Sequence, residues 1–225
     1  MPQTQTIYVN FRRLNNSSHA SVVLRLMMAF NDIALANQSL AGYKREQPPI
    51  RRHVQWGAKM YFVRLQCGHL NEAIRIVGEI KDDAQLLSKA NRCSEDAQLA
   101  FRELISCLES PGGNQFRKYV GRVRNKSAFH YDPDMALAAL RDRARREEAV
   151  RSSITRGDEL ALWRFVAADH IFDSIICRQL WEIPRAADLR QETDRISDYC
   201  SNLCAAFLTF VGEFTFSYIQ DHGMV

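Results

Sequence analysis

The chain has 225 residues, 46% of them hydrophobic and 25% charged, with a formal net charge of +4. That is enough apolar side chain to bury a sizeable core, which excludes a mainly disordered protein, and the charge is too small to indicate a nucleic-acid partner by itself. Arginine far outnumbers lysine, and its planar guanidinium suits bidentate recognition of phosphate or carboxylate.

In chain order, residues 1–16 read as extended or flexible; the short TIYVNF stretch at 6–11 fits no clear period. The NNSS at 15–18 supplies N-caps for a first long helix whose stripe runs Val23, Leu26/Met27, Phe30, Ile33/Ala34 and Leu40. After QPPI at 47–50, Val54, Ala58, Tyr61/Phe62 and Leu65 form a second stripe, interrupted at Cys67-Gly68-His69. Leu70, Ile74, Val77 and Ile80 then read as a separate helix.

Ser94-Glu95-Asp96 has the form of a helix cap before Leu99, Phe101, Leu104/Ile105 and Leu108. Beyond SPGGN at 110–114, Phe116, Val120, Val123, Ser127 and His130 share one helical stripe. That helix ends before Asp132-Pro133, because the residue preceding a proline disfavours helix. Leu162, Val166, Phe172, Ile176 and Leu180 mark the next helix, and 186–221 reads as one long C-terminal helix through Ile196, Tyr199/Cys200, Leu203, Phe207, Phe210 and Phe214. With no sustained period-two alternation, the expected fold is all-α: one domain over 1–225 built as a bundle of six to nine helices.

The six cysteines include no CxxC pair, and no basic start precedes an apolar run at the N-terminus. These features predict free buried thiols in a reducing cytoplasm, without a metal or cofactor. The apolar run 203–212 falls short of the roughly 20 residues a membrane span needs and reads as a core helix, so no membrane partner is expected. Asp169, His170 and Asp173 could make a partial metal site, though a His–Asp hydrogen bond is the simpler reading. Neither a phosphate-binding GxxxxGK[ST], nor HExxH, nor GxSxG occurs.

The segment RNKSAFH, 124–130, carries the most specific chemistry. On a regular helix Arg124 and His130 are about 120° and about 9 Å apart, so they meet only if the last turn loosens or the arginine stem spans the gap. Three other arginine–histidine pairs have similar spacing: Arg12 or Arg13 with His19, Arg64 with His69, and Arg164 with His170. Only Arg124/His130 adds an adjacent Asn125, aromatic neighbours and a helix end. The segment resembles the motif of the HEPN superfamily, small helical-bundle proteins of prokaryotic toxin–antitoxin, abortive-infection and RNA-processing systems, although here more than ninety residues follow it.

The resemblance implies a metal-independent endoribonuclease acting on an RNA substrate, homodimeric, with an antitoxin or other protein partner. Arg124 would stabilise developing phosphate charge, His130 would move protons and Asn125 would position the phosphate or the histidine. Arg117, Arg122, Lys126 and Tyr131 around the motif, and Arg141, Arg145 and Arg146 in the run 141–156, are the candidate RNA contacts. The alternative is a non-catalytic helical module binding protein or RNA through its arginine-rich helices; the acids in 141–156 fit a solvated face.

Overall fold

The computed structural model describes residues 6–44, 52–110, 112–128, 132–145, 152–156, 158 and 164–224. Among these the fold is all-α, with nine α-helices: α1 Phe11–Asn15, α2 Ala20–Lys44, α3 Arg52–Asp82, α4 Ala84–Ala90, α5 Glu95–Ser106, α6 Gly112–Phe116, α7 Pro133–Ala144, α8 Val166–Ser174 and α9 Leu189–Asp221. Two of them continue in π-wound form, α6 through Arg117–Gly121 and Arg124–Ala128, and α8 through Ile175–Leu180. The only sheet among the described residues is a two-residue antiparallel ladder, β1 Ile154–Thr155 with β2 Arg164–Phe165.

Polar residues just outside the helices set their starts by accepting from otherwise unpartnered backbone N–H groups. Asn10 accepts from Arg12 and Arg13, Asp83 from Gln85 and Leu86, Ser94 from Ala97, Asp132 from Asp134 and Met135, and Asp188 from Arg190 and Gln191. Residues 11–15, expected to be extended or flexible, are therefore helical. The C-terminal helix begins at Leu189, three residues later than expected, because Asp188 caps it.

The predicted break at Cys67-Gly68-His69 does not occur: α3 runs unbroken through all three residues. A mid-helix glycine costs only about 1 kcal/mol relative to alanine. Here α3 packs against α2, α5, α8 and α9, and that burial outweighs the cost. Val63, Cys67, Leu70, Ile74, Val77 and Ile80 line its buried side.

The core lies where α3 and α9 meet α2 and α5. Phe207, Phe210 and Phe214 of α9 are sealed in it, with the Phe210 ring 4.6 Å from Phe101 of α5. The two ends of the described chain meet beside α9: Asn10 N–H donates to the Met224 carbonyl at 2.6 Å, and Ser17 and Tyr218 hydroxyls lie 2.7 Å apart. By length and composition α2 and α9 are each apolar enough to cross a membrane; over half of the α9 window is buried, whereas most of the α2 window is not. The outer face of α2 carries exposed Leu24, Met28 and Leu35.

Candidate functional site

The candidate motif begins in the second π-wound stretch of α6. Phe116, Val120, Val123 and Ser127 are buried as the stripe predicted. The π winding, with its i→i+5 pattern, persists where side chains enter the backbone ladder. The Tyr119 carbonyl accepts the Trp181 indole N–H at 3.0 Å and lies 3.7 Å from the Cys67 thiol. The Ser127 hydroxyl donates back to the Val123 carbonyl at 3.0 Å, while the Ser127 carbonyl receives Arg64 Nη1 at 3.4 Å. The wider winding of α6 thus runs through Ala128, the last described residue before Asp132.

Arg124 and Asn125 are brought together. Arg124 Nη1 donates to Asn125 Oδ1 at 3.2 Å, and Nη2 lies 2.9 Å from Glu72 Oε1 on α3. The arginine side chain keeps 35% of its surface exposed, so the guanidinium is tethered but reachable. The space beside Gly121 is used by α3: a Cβ there would lie 3.6 Å from Asn71 Oδ1, and Asn71 Nδ2 in turn donates to Glu72 at 3.4 Å. His130, Tyr131 and Arg146 lie outside the described residues.

The remaining described candidate RNA contacts have their own partners or lie exposed. Arg122 and Lys118 converge on Glu182 at 2.7 and 3.2 Å, and these two cations, Arg122 foremost, hold its carboxyl below the usual carboxylate range. Glu182 itself has φ +56°, a left-handed conformation unusual for a side-chain-bearing residue. Lys126 lies 3.7 Å from Asp132, and Arg117 is exposed on the first π stretch. Arg141 and Arg145 are exposed at the end of α7, which packs on α8 and its π extension.

In two of the other arginine–histidine pairs, Arg13/His19 and Arg64/His69, the partners turn to different neighbours. Arg13 donates to the Gly223 carbonyl, whereas His19 contacts the Tyr218 hydroxyl at 3.1 Å and Asp83 at 3.3 Å. Arg64 stacks over Phe172, 4.5 Å from the ring centre, in an α3–α8 cleft of about 290 Å³ that Asp169 and Asp173 also line. His69 faces α2 instead, its Nδ1 3.4 Å from Asp32 Oδ2. His170 Nδ1 lies 2.8 Å from the Ser152 hydroxyl and 3.4 Å from Arg143.

Sequence reasoning did not anticipate the groove that His69 enters. It holds about 470 Å³ between α2 and α3 and is lined by Arg25, Met28, Asp32, Glu72, Arg75 and Glu79, among others. Arg25 grips Glu79 through two hydrogen bonds of 2.8 and 2.5 Å, which lowers the glutamate's pKa and raises the arginine's. The local signal was the three-residue spacing of His69 and Glu72; Asp32 is too distant in sequence to have been paired with them.

All six cysteines are free and buried. Burial pushes the Cys107 and Cys177 thiols up to about 11. Cys67 is raised too, first by its hydrogen bond with Cys200, whose sulfur is 3.9 Å away, and then by burial. Among the described residues no three His, Cys, Asp or Glu side chains converge as a metal site. No known family model matches the chain, and no curated protein or solved structure is significantly similar to it.

Proposed function

We propose that this protein is a HEPN-like, metal-independent endoribonuclease whose phosphate-binding group is Arg124. The observation that carries the reading is the Arg124–Asn125 pair, joined at 3.2 Å in a partly exposed π-wound turn. Such turns recur at functional sites. A guanidinium fixed there stabilises charge that builds on a phosphodiester during attack by the 2′-hydroxyl. His130, as the resemblance assigns it, exchanges protons with the 2′-hydroxyl and the leaving 5′-oxygen, giving a cyclic phosphate and a free 5′-hydroxyl. Asn125 orients the bound phosphate; a homodimer and an antitoxin-type partner belong to the same proposal.

The test is incubation of wild-type, Arg124→Ala and His130→Ala protein with mixed RNAs in EDTA, reading cleavage and end chemistry. Cleavage by the wild type alone, with cyclic phosphate ends, supports the reading; equal behaviour of the three proteins overturns it.

A second reading, a non-catalytic interaction module, is favoured by the apolar outer face of α2. Leu24, Met28 and Leu35 are exposed at spacings of four and seven residues, on one side of the helix. The two readings part on Leu24→Glu/Leu35→Glu, which disrupts partner capture in the second and leaves RNA cleavage intact in the first.

A further inference from the structure

Helix α2 stands as a ridge between two grooves. On its α9 side an apolar groove of about 300 Å³ includes Met27, Phe30, Asn31 and Phe216; on its α3 side lies the charged groove. We propose that this ridge is the interface of a homodimer, in which α2 of one copy pairs antiparallel with α2 of a second. The pairing gives the exposed α2 face its occupant, independently of the ribonuclease reading, whose Arg124 lies on α6.

The spacing of the exposed residues points to a helix as the partner. Ser21, Leu24, Met28, Asn31, Leu35 and Gln38 are all exposed. They recur at alternating steps of three and four residues, the a/d repeat of a helix that packs along another helix. Residues 21–38 make this seam about 26 Å long. The opposite side of α2 is already occupied, since Val23, Leu26 and Ile33 are sealed in the core. A monomer therefore leaves Met28 and Leu35, each 65% exposed, in water.

Charge makes that partner a second copy and sets the register. Arg25 and Asp32 are the only charged residues of α2 before Lys44, and both flank the seam on its α3 side. With the two-fold axis between Ala29 and Phe30, Leu24 lies opposite the partner's Leu35 and Met28 opposite the partner's Asn31. Arg25 then meets the partner's Asp32, and the symmetry makes the contact twice. On the α9 side Met27 meets the partner's Ala34, so apolar flank faces apolar flank. Moving the axis half a heptad, to Leu26 or to Ile33, sets Arg25 against the partner's Arg25 or Asp32 against the partner's Asp32. A parallel pair would set the two charges against apolar Ala20 and Met27.

Both charged groups have room for the contact. The Ser21 carbonyl and Glu79 take three of the five guanidinium N–H groups of Arg25, and the Asp32 side chain keeps 55% of its surface exposed beside His69. Arg25, Arg75 and Arg124 balance Asp32, Glu72 and Glu79 along this side, so no single-sign field holds two copies apart. By composition α2 is also apolar enough for a membrane. A membrane-surface helix, however, is rich in cations on its polar face, and here the one arginine is neutralised by Glu79.

The test is sedimentation velocity of the full chain over a range of concentrations, with thermal unfolding recorded for every variant. The wild type is expected to dimerise. Leu24→Glu/Leu35→Glu is expected to weaken the dimer by about 10²-fold or more, while Leu99→Glu, at an exposed leucine of α5, leaves it unchanged. Arg25→Glu and Asp32→Lys each weaken it alone, and their equimolar mixture recovers it, because each new charge then faces its opposite in the other protein. If Leu24→Glu/Leu35→Glu does not fold, the mixture decides. A wild type that stays monomeric at every concentration overturns the proposal, as does a dimer that survives both glutamates or a mixture that associates no better than its components. Flotation of monomeric wild type with phosphatidylcholine–phosphatidylserine vesicles assigns the face to a membrane and overturns it too.

Discussion

The guanidinium of Arg124 lies 2.9 Å from Glu72, and the same carboxylate lies 3.6 Å from Arg75, so one α3 acid restrains cations of two helices. A half-exposed pair of this kind contributes at most about 1 kcal/mol to stability. Its larger effect is on the field that a phosphate meets.

Glu72→Gln is therefore expected to leave the thermal midpoint nearly unchanged and to tighten RNA binding. Each additional phosphate contact steepens the slope of log affinity against log salt by roughly 0.7–0.9. Titrations of labelled RNA at several salt concentrations check this; unchanged affinity and slope would place the RNA elsewhere.

The π-wound part of α6 depends on Trp181. Its indole N–H reaches the Tyr119 carbonyl at 3.0 Å, and its ring is 1% exposed. Trp181→Phe keeps most of the apolar burial but removes the indole donor and leaves the Tyr119 carbonyl to the weaker Cys67 thiol, at a cost of about 1–3 kcal/mol. Trp181→Ala adds a cavity and costs about 3–5 kcal/mol. Denaturant unfolding of the two variants checks the order and the gap.

Two glycines near the site should respond oppositely to alanine. At Gly112 a Cβ would sit 2.4 Å from the Ser106 backbone carbonyl oxygen, so the start of α6 must shift. Overpacking of this sort costs about 1–3 kcal/mol. At Gly121 the nearest atom is 3.6 Å away, an ordinary contact, and alanine regains up to about 1 kcal/mol of helix propensity. Melting curves of Gly112→Ala and Gly121→Ala should move in opposite directions.

Four carboxyls, Glu79, Asp83, Glu182 and Asp221, are held below their ordinary values in the folded protein. The leading causes are the Arg25 hydrogen bond, the Leu86 backbone N–H, Arg122 and Lys89, respectively. A carboxyl with a depressed folded value stabilises above its unfolded value and loses that contribution as pH falls through the folded one. Stability should therefore hold above the ordinary values of 4.5 and 3.8 and decline as pH drops below them. Asp221→Asn should lower stability at neutral pH, because it leaves the buried Lys89 ammonium without its carboxylate, and should make the acid decline shallower. Guanidinium midpoints from pH 7 to pH 2.5 test both.

The long apolar stripes were readable because three- and four-residue steps register which helix face is buried. Leu203, Phe207, Phe210 and Phe214 in α9, and Val23, Leu26 and Ile33 in α2, all lie in the core. The step pattern could not show that α3 continues through Gly68, since tertiary packing decides whether a glycine ends a helix. Nor could it show the π winding, which depends on Trp181 and Cys67 reaching Tyr119 from far along the chain. In the site, Arg124 and Asn125 were legible as neighbours. Glu72 was not, because 52 residues separate it from Arg124 and only the α3–α6 packing joins them.

The six sealed thiols give the fold a set of internal clocks. A maleimide can modify such a sulfur only after the surrounding helices part, so each labelling rate reports the opening of its own region. Cys67, Cys200 and Cys204 lie between α3 and α9 and should be labelled together, at the rate of global unfolding. Cys93, between α4 and α5 and 8% exposed, should be labelled first. Mass spectrometry of partly labelled protein then gives the order in which the helices separate, without introducing a probe.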